Sequence, residues 1–223
     1  MAADVLVAVA HGTRAPEGPV VLDELLDGVR SRLPGVPVHL AYVDVIEPTL
    51  EQVLASVHGR AVVVPMFLAS GYHVRVDVPN AVEATGGSAS VTAALGPDDA
   101  LVAVVADRLR AAGAVPDAVV LAAAGSSDAG ALAEVESVAR RLETVLDREV
   151  AVGYVTTASP SVGEAVESLR ASGARTVGIA SYLLAPGLFQ QRLAEAGADV
   201  VAAPIGAHEA VMDLVVERFR TAE

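Results

Sequence analysis

The chain contains no cysteine and no lysine; all 15 of its basic residues are arginine. Without cysteine there is no disulfide, thiolate zinc site, cysteine-bound iron–sulfur cluster or cysteine nucleophile. Without lysine, Schiff-base chemistry and the phosphate-loop lysine are excluded as well. Positive charge is scarce altogether: 28 acidic residues against 15 basic ones give a net charge of −13. Nucleic acid demands a basic surface and an anionic bilayer attracts one, so neither is an expected partner. No apolar run approaches the roughly 18 residues that cross a bilayer. The start, MAADVLVAVAHG, lacks a basic n-region and places Asp4 where an apolar segment would begin, which predicts a soluble, cytoplasmic protein. There is no GxGxxG fingerprint and no HExxH.

What is present is a periodic α/β pattern. Hydrophobic residues make up 53% of the 223, enough for a sizeable core. Val5 to Ala10 reads as a strand ending in His11-Gly12-Thr13-Arg14, and Val21, Leu22, Leu25, Leu26, Val29 and Leu33 recur at helical spacing until Pro34-Gly35. Val36 to Val45 is a second strand, Pro48 is expected as the first residue of a helix, and Arg60 to Phe67 is a third strand. A short fourth strand is expected at Val91 to Ala94, followed by a helix capped by Asp98.

The plan then repeats. AHGTR at 10–14 faces AGSSD at 124–128, YVDVIEPTL at 42–50 faces YVTTASPSV at 154–162, and VPMFLASGYH at 64–73 faces ASYLLAPGLF at 180–189. The expected fold is therefore α/β: two similar (βα)4 lobes with mainly parallel four-stranded sheets, produced by internal duplication. The joint falls near Gly113 to Pro116, dividing the chain into lobes of residues 1–114 and 115–223. The halves differ in their polar residues. Gly125 or Ala124 stands opposite His11, Phe189 opposite His73, and Leu193 opposite Asp77. Only the first half is equipped for chemistry.

The equipment gathers in VVVPMFLASGYHVRVDVP, residues 62–79, where a buried strand crosses a small-residue turn into Tyr72, His73, Arg75 and Asp77. Open α/β sheets bind ligands beyond the carboxyl ends of such strands. Asp77 either braces the helix before Pro79 or serves the site, and Tyr72 is either a core-rim aromatic or a pocket wall. His39, His58 and His208 read as structural, and Ser126-Ser127-Asp128 reads as a helix cap rather than a nucleophile elbow.

These motifs resemble the sirohydrochlorin chelatases of the CbiX/SirB type, the class II tetrapyrrole chelatases, in their long two-lobed form. The resemblance rests on His11-Gly12-Thr13-Arg14, where the family has His-Gly-Ser-Arg. It rests also on Pro65-Met66-Phe67-Leu68, Gly71-Tyr72-His73 and Asp77-Val78-Pro79, and on Asp44 and Glu47 before Pro48. It implies a chelatase-like fold and insertion of a divalent ion, Co2+ or Fe2+ with Ni2+ a further candidate, into sirohydrochlorin or a related tetrapyrrole. The product would serve siroheme or cobalamin biosynthesis. No cofactor is expected to be held permanently; metal and macrocycle are both substrates. The rival expectation is a metal or tetrapyrrole carrier of the same fold without turnover. A monomer and a homodimer are both compatible.

Insertion strips water from the ion and removes two protons from the pyrroles. Neutral imidazole suits both tasks, because it ligates borderline metals and titrates near neutrality. His11 and His73 are accordingly the expected metal ligands and catalytic groups, assisted by Asp44 or Glu47. The macrocycle carries carboxylates, so Arg14 and Arg75 are expected to clamp it, Gly12, Thr13, Ser70 and Gly71 to approach it, and Tyr72 to offer a ring face.

Overall fold

The computed structural model describes residues 4–86 and 89–222. In the first repeat, β1 (Val5–Ala10), β2 (Val38–Tyr42), β3 (Ala61–Pro65) and β4 (Ala89–Val91) form a sheet in the order β2-β1-β3-β4, with every neighbour parallel. The connecting helices are α1 (Glu17–Arg32), α2 (Leu50–Ser56) and α3 (Val78–Ala84). A π-helical turn, His73–Asp77, leads directly into α3. β1 is apolar and buried along its whole length because both faces of the sheet are covered. Val5, Val7, Val9, Ala61 and Val63 pack with Leu50, Val53 and Leu54 of α2 and with Val78, Ala81 and Val82.

The second repeat has the same order, β6-β5-β7-β8, built from β5 (Ala118–Ala123), β6 (Glu149–Tyr154), β7 (Val177–Tyr182) and β8 (Val200–Val201). Its helices are α5 (Ala129–Leu146), α6 (Val162–Ala171) and α7 (Leu188–Ala194). Asp128 caps α5 by accepting from the Ala131 amide at 2.9 Å, as the cap reading of Ser126-Ser127-Asp128 expects.

One expectation changes at a helix start. Pro48 does not open α2; Thr49 caps it, as Ser161 caps α6, each in a reciprocal capping box with the third helical residue, Gln52 or Glu164. The fourth strand begins earlier than its apolar residues indicate, at Ala89.

The compact units are divided differently from the two sequence repeats. One unit takes the chain up to Gly96 together with the segment from Ala207 on; the other runs from Pro97 to Gly206. The helix that ends the first repeat, α4 (Asp99–Ala112), packs on β7 and β8 of the second sheet, where Arg108 donates to the Ile205 carbonyl at 2.8 Å. The helix that ends the second repeat, α8 (Glu209–Arg220), packs on α1 and β3, where Arg32 pairs with Asp213 at 2.7 Å. Repetition in sequence defines what was duplicated. It does not dictate which sheet a terminal helix covers.

Candidate active site

In the order β2-β1-β3-β4 the chain leaves β1 for β2 on one side and returns to β3 on the other. The carboxyl ends of β1 and β3 therefore flank the switch point of the sheet, where open α/β folds bind ligands. His11 is the residue after β1. His73 arrives from the turn after β3. Their ring centroids lie 4.7 Å apart with the planes at 85°, edge to face. The structure thus brings together two residues 62 positions apart in the sequence, as their strand-end placement predicts.

Each imidazole is held by its neighbours. His73 lies against Phe67, with ring centroids 6.1 Å apart and planes at 27°, and against Tyr72 at 6.2 Å. His73 Nδ1 is 2.6 Å from Asp77 Oδ2, and His11 Nδ1 is 3.1 Å from the Gly12 carbonyl. The π-helical turn carries the Val78 amide to the His73 carbonyl, five residues back. Such one-turn widenings occur frequently at functional sites.

The loop after β2 closes against the loop after β1. The Val43 amide donates to Ala10 and the Asp44 amide to His11. Gly12 has φ +99°, and a Cβ there would lie 2.2 Å from the Asp44 carbonyl oxygen, so glycine is required on two counts. Asp44 turns its carboxylate to the Val45 amide at 2.6 Å, and Val45 itself sits at φ +73°, a strained conformation for a β-branched residue. An open pocket of about 410 Å³ beside His73 is lined by Val43, Asp44, Glu51, Asp77, Asn80, Ala81 and Ala84. Glu47 does not line it; it accepts from Gln52 at 3.3 Å, beside the start of α2.

The remaining expected residues separate by what their polar groups do. The Thr13 hydroxyl accepts from the Ala15 amide at 3.1 Å, shaping the entry to α1. The Gly71 amide donates to the Ala69 carbonyl at 3.1 Å, which tightens the turn before His73. Arg75 Nε donates to the Ser70 carbonyl at 2.7 Å, folding the side chain back over its own turn. Arg14 is exposed and has no ion-pair partner among the described residues. Tyr72 is 59% exposed and lies edge to face with His73.

Among the described residues there is no cluster of three or more His, Asp or Glu side chains placed to hold a metal. His208 caps α8, accepting from the Ala210 amide, and His39 is exposed on the edge strand β2, so both stand apart from the site as expected. The contribution of Phe67, Glu51 and Asn80 was not legible in the sequence. The His73–Asp77 contact carried a signal: four residues apart at a helix entrance is the spacing at which side chains meet.

A parallel α/β sheet with two imidazoles at its switch point can host many chemistries, and comparison with known proteins narrows the choice. The CbiX family model matches the chain twice, over residues 5–112 and 118–222, and the chain belongs to this family. It is 33% identical over 78 residues to a sirohydrochlorin cobaltochelatase of Methanosarcina acetivorans, covering 33% of this chain and 60% of that protein. It is 33% identical over 117 residues to the chloroplastic sirohydrochlorin ferrochelatase of Arabidopsis thaliana, covering 48% and 52%. The matches thus span between about half and three fifths of these relatives' own lengths. SirB from Bacillus subtilis, solved with Fe3+, superposes over 99% of this chain and 95% of its own with a TM-score of 0.83 at 22% identity, the same fold.

Proposed function

We propose that this protein is a chelatase that inserts a divalent first-row metal ion into sirohydrochlorin or a closely related tetrapyrrole. The observation that carries the reading is the meeting of His11 and His73, 4.7 Å apart at the switch point of the first sheet, in a chain of the CbiX family. Relatives named for cobalt and for iron support Co2+ and Fe2+ as candidate ions, and imidazole also ligates Ni2+.

The reaction exchanges one aqueous divalent ion for two pyrrole protons. His11 and His73 bind the ion in place of water and take up the protons released from the macrocycle. Asp44, which shares the pocket wall with His73, is the assisting acid in preference to Glu47. A site with two protein ligands holds the ion while leaving positions for the ring nitrogens. Because the ion must leave with the product, weak retention serves turnover.

Arg14 supplies local positive charge to a substrate of many carboxylates on a protein of net charge −13. Arg75 acts as a second clamp, steadied by Ser70. Tyr72 offers its exposed ring face to the macrocycle. Gly12 and Gly71 keep the approach narrow, and Thr13 shapes the turn that aims Arg14.

Anaerobic mixing of the protein with sirohydrochlorin and Co2+, Fe2+ or Ni2+ tests the reading. The expected result is a protein-dependent shift of the pigment's absorption spectrum faster than the uncatalysed one. Tight binding of ion or pigment with no acceleration would instead make this a carrier.

A further inference from the structure

We propose that Asp77 is a positioning residue that fixes neutral His73 as its Nδ1–H tautomer, so that Nε2 offers its lone pair to the incoming ion and the pyrrole protons. The inference rests on the chelatase reading for its consequence, but on hydrogen-bond chemistry for its substance. An ionised carboxylate only accepts hydrogen bonds. At 2.6 Å from Asp77 Oδ2, His73 Nδ1 must therefore be the donor. Neutral imidazole has one N–H, so Nε2 is left as the acceptor. His11 reaches the same tautomer by a weaker route, since its Nδ1 faces the Gly12 carbonyl at 3.1 Å and a carbonyl also only accepts. The two site histidines thus present like nitrogens. His208 shows the opposite arrangement: its Nδ1 accepts from the Ala210 amide at 3.1 Å, which leaves the proton on Nε2.

Three observations separate this role from a structural brace. Asp77 makes no side-chain hydrogen bond to the helix it precedes, so it does not cap α3. Its side chain is 36% exposed, and its partner is His73. The second repeat dispenses with both members together. By register Phe189 replaces His73 and Leu193 replaces Asp77; Leu193 is buried in the core, and the segment Leu188–Ala194 forms an ordinary α-helix. The turn folds without an aspartate there. The aspartate and the π-helical turn accompany the imidazole.

Carboxylates that orient metal-binding histidines in this way typically change affinity or activity by roughly 10- to 100-fold when removed. The test uses full-length protein with 15N-labelled histidine, read by two-bond nitrogen–proton correlation at a pH above the imidazole range. Wild-type His73 is expected to show Nδ1 protonated and Nε2 unprotonated. Asp77→Ala is expected to move His73 toward the Nε2–H form while His11 stays unchanged. Asp77→Asn, whose amide can accept or donate, is expected to give a mixture. In the insertion assay Asp77→Ala is expected to lower kcat by roughly 10- to 100-fold with KM for the tetrapyrrole unchanged, and Asp77→Asn to lower it less. Either variant's failure to fold, an unaltered His73 tautomer in Asp77→Ala, or an altered tautomer with wild-type kcat overturns the proposal. A wild-type protein that shows the expected tautomer but no insertion overturns the chelatase reading and leaves the tautomer assignment standing.

Discussion

Gly12 tolerates no side chain, and the reason joins the two loops of the site. A Cβ would collide with the Asp44 carbonyl, at 2.2 Å, and the backbone at φ +99° disfavours any L residue. Gly12→Ala is expected to destabilise the protein by about 2–5 kcal/mol in urea denaturation, the sum of backbone strain and overpacking. It should also slow insertion, because His11 and Asp44 flank the collision. The opposite sign is expected at Val45, whose left-handed backbone is strained for a β-branched residue. Val45→Gly relieves about 1–2 kcal/mol of strain and returns about half of that as chain entropy, leaving a net stabilisation of about 0.5–1 kcal/mol. A lower denaturation midpoint for Val45→Gly contradicts this account of the loop. His11 and His73 stood out in the sequence because Gly125 or Ala124 and Phe189 stand opposite them in the second repeat, whereas Asp44 and Glu47 were singled out only by resemblance. The strain at Val45 was not legible, since nothing in its identity signals a positive φ.

At the scale of elements, strands and long helices followed from apolar periodicity, while their edges followed from side chains that periodicity does not weigh. Thr49 and Ser161, not the prolines before them, start α2 and α6 because their hydroxyls meet the orphan amides of the first turn. The start of β7 is held by two carboxylates: Asp199 accepts from the Val177 amide at 2.8 Å, and Asp117 accepts from the Thr176 amide at 3.1 Å. Those amide bonds are the largest influence holding both carboxyls below the usual range, with Arg170 and Arg175 adding to them. A depressed folded-state pKa contributes stability that is present above the unfolded value and is lost as pH falls through the folded one. The stability of the second unit should therefore fall as pH drops below about 4. Asp199→Asn is expected to lower the melting temperature at neutral pH and to flatten its decline on acidification; an equally steep decline contradicts the assignment.

At the scale of the whole molecule, the duplicated (βα)4 plan was legible from register alone, but the exchange of terminal helices was not. Whether α4 covers its own sheet or the other depends on packing that both repeats satisfy with the same apolar pattern. The exchange predicts that a fragment of residues 1–114, lacking α8, exposes apolar surface on its sheet. That fragment is expected to pair with a second copy and donate α4, giving a dimer by light scattering, whereas a stable monomer contradicts the exchange. Whether the two imidazoles carry out insertion is read from the single-turnover rate of metal insertion into sirohydrochlorin for His11→Ala, His73→Ala and the double variant, each checked for an unchanged melting transition. Either single substitution is expected to abolish insertion, with the double no worse. Near-wild-type rates in a folded single variant would contradict their role.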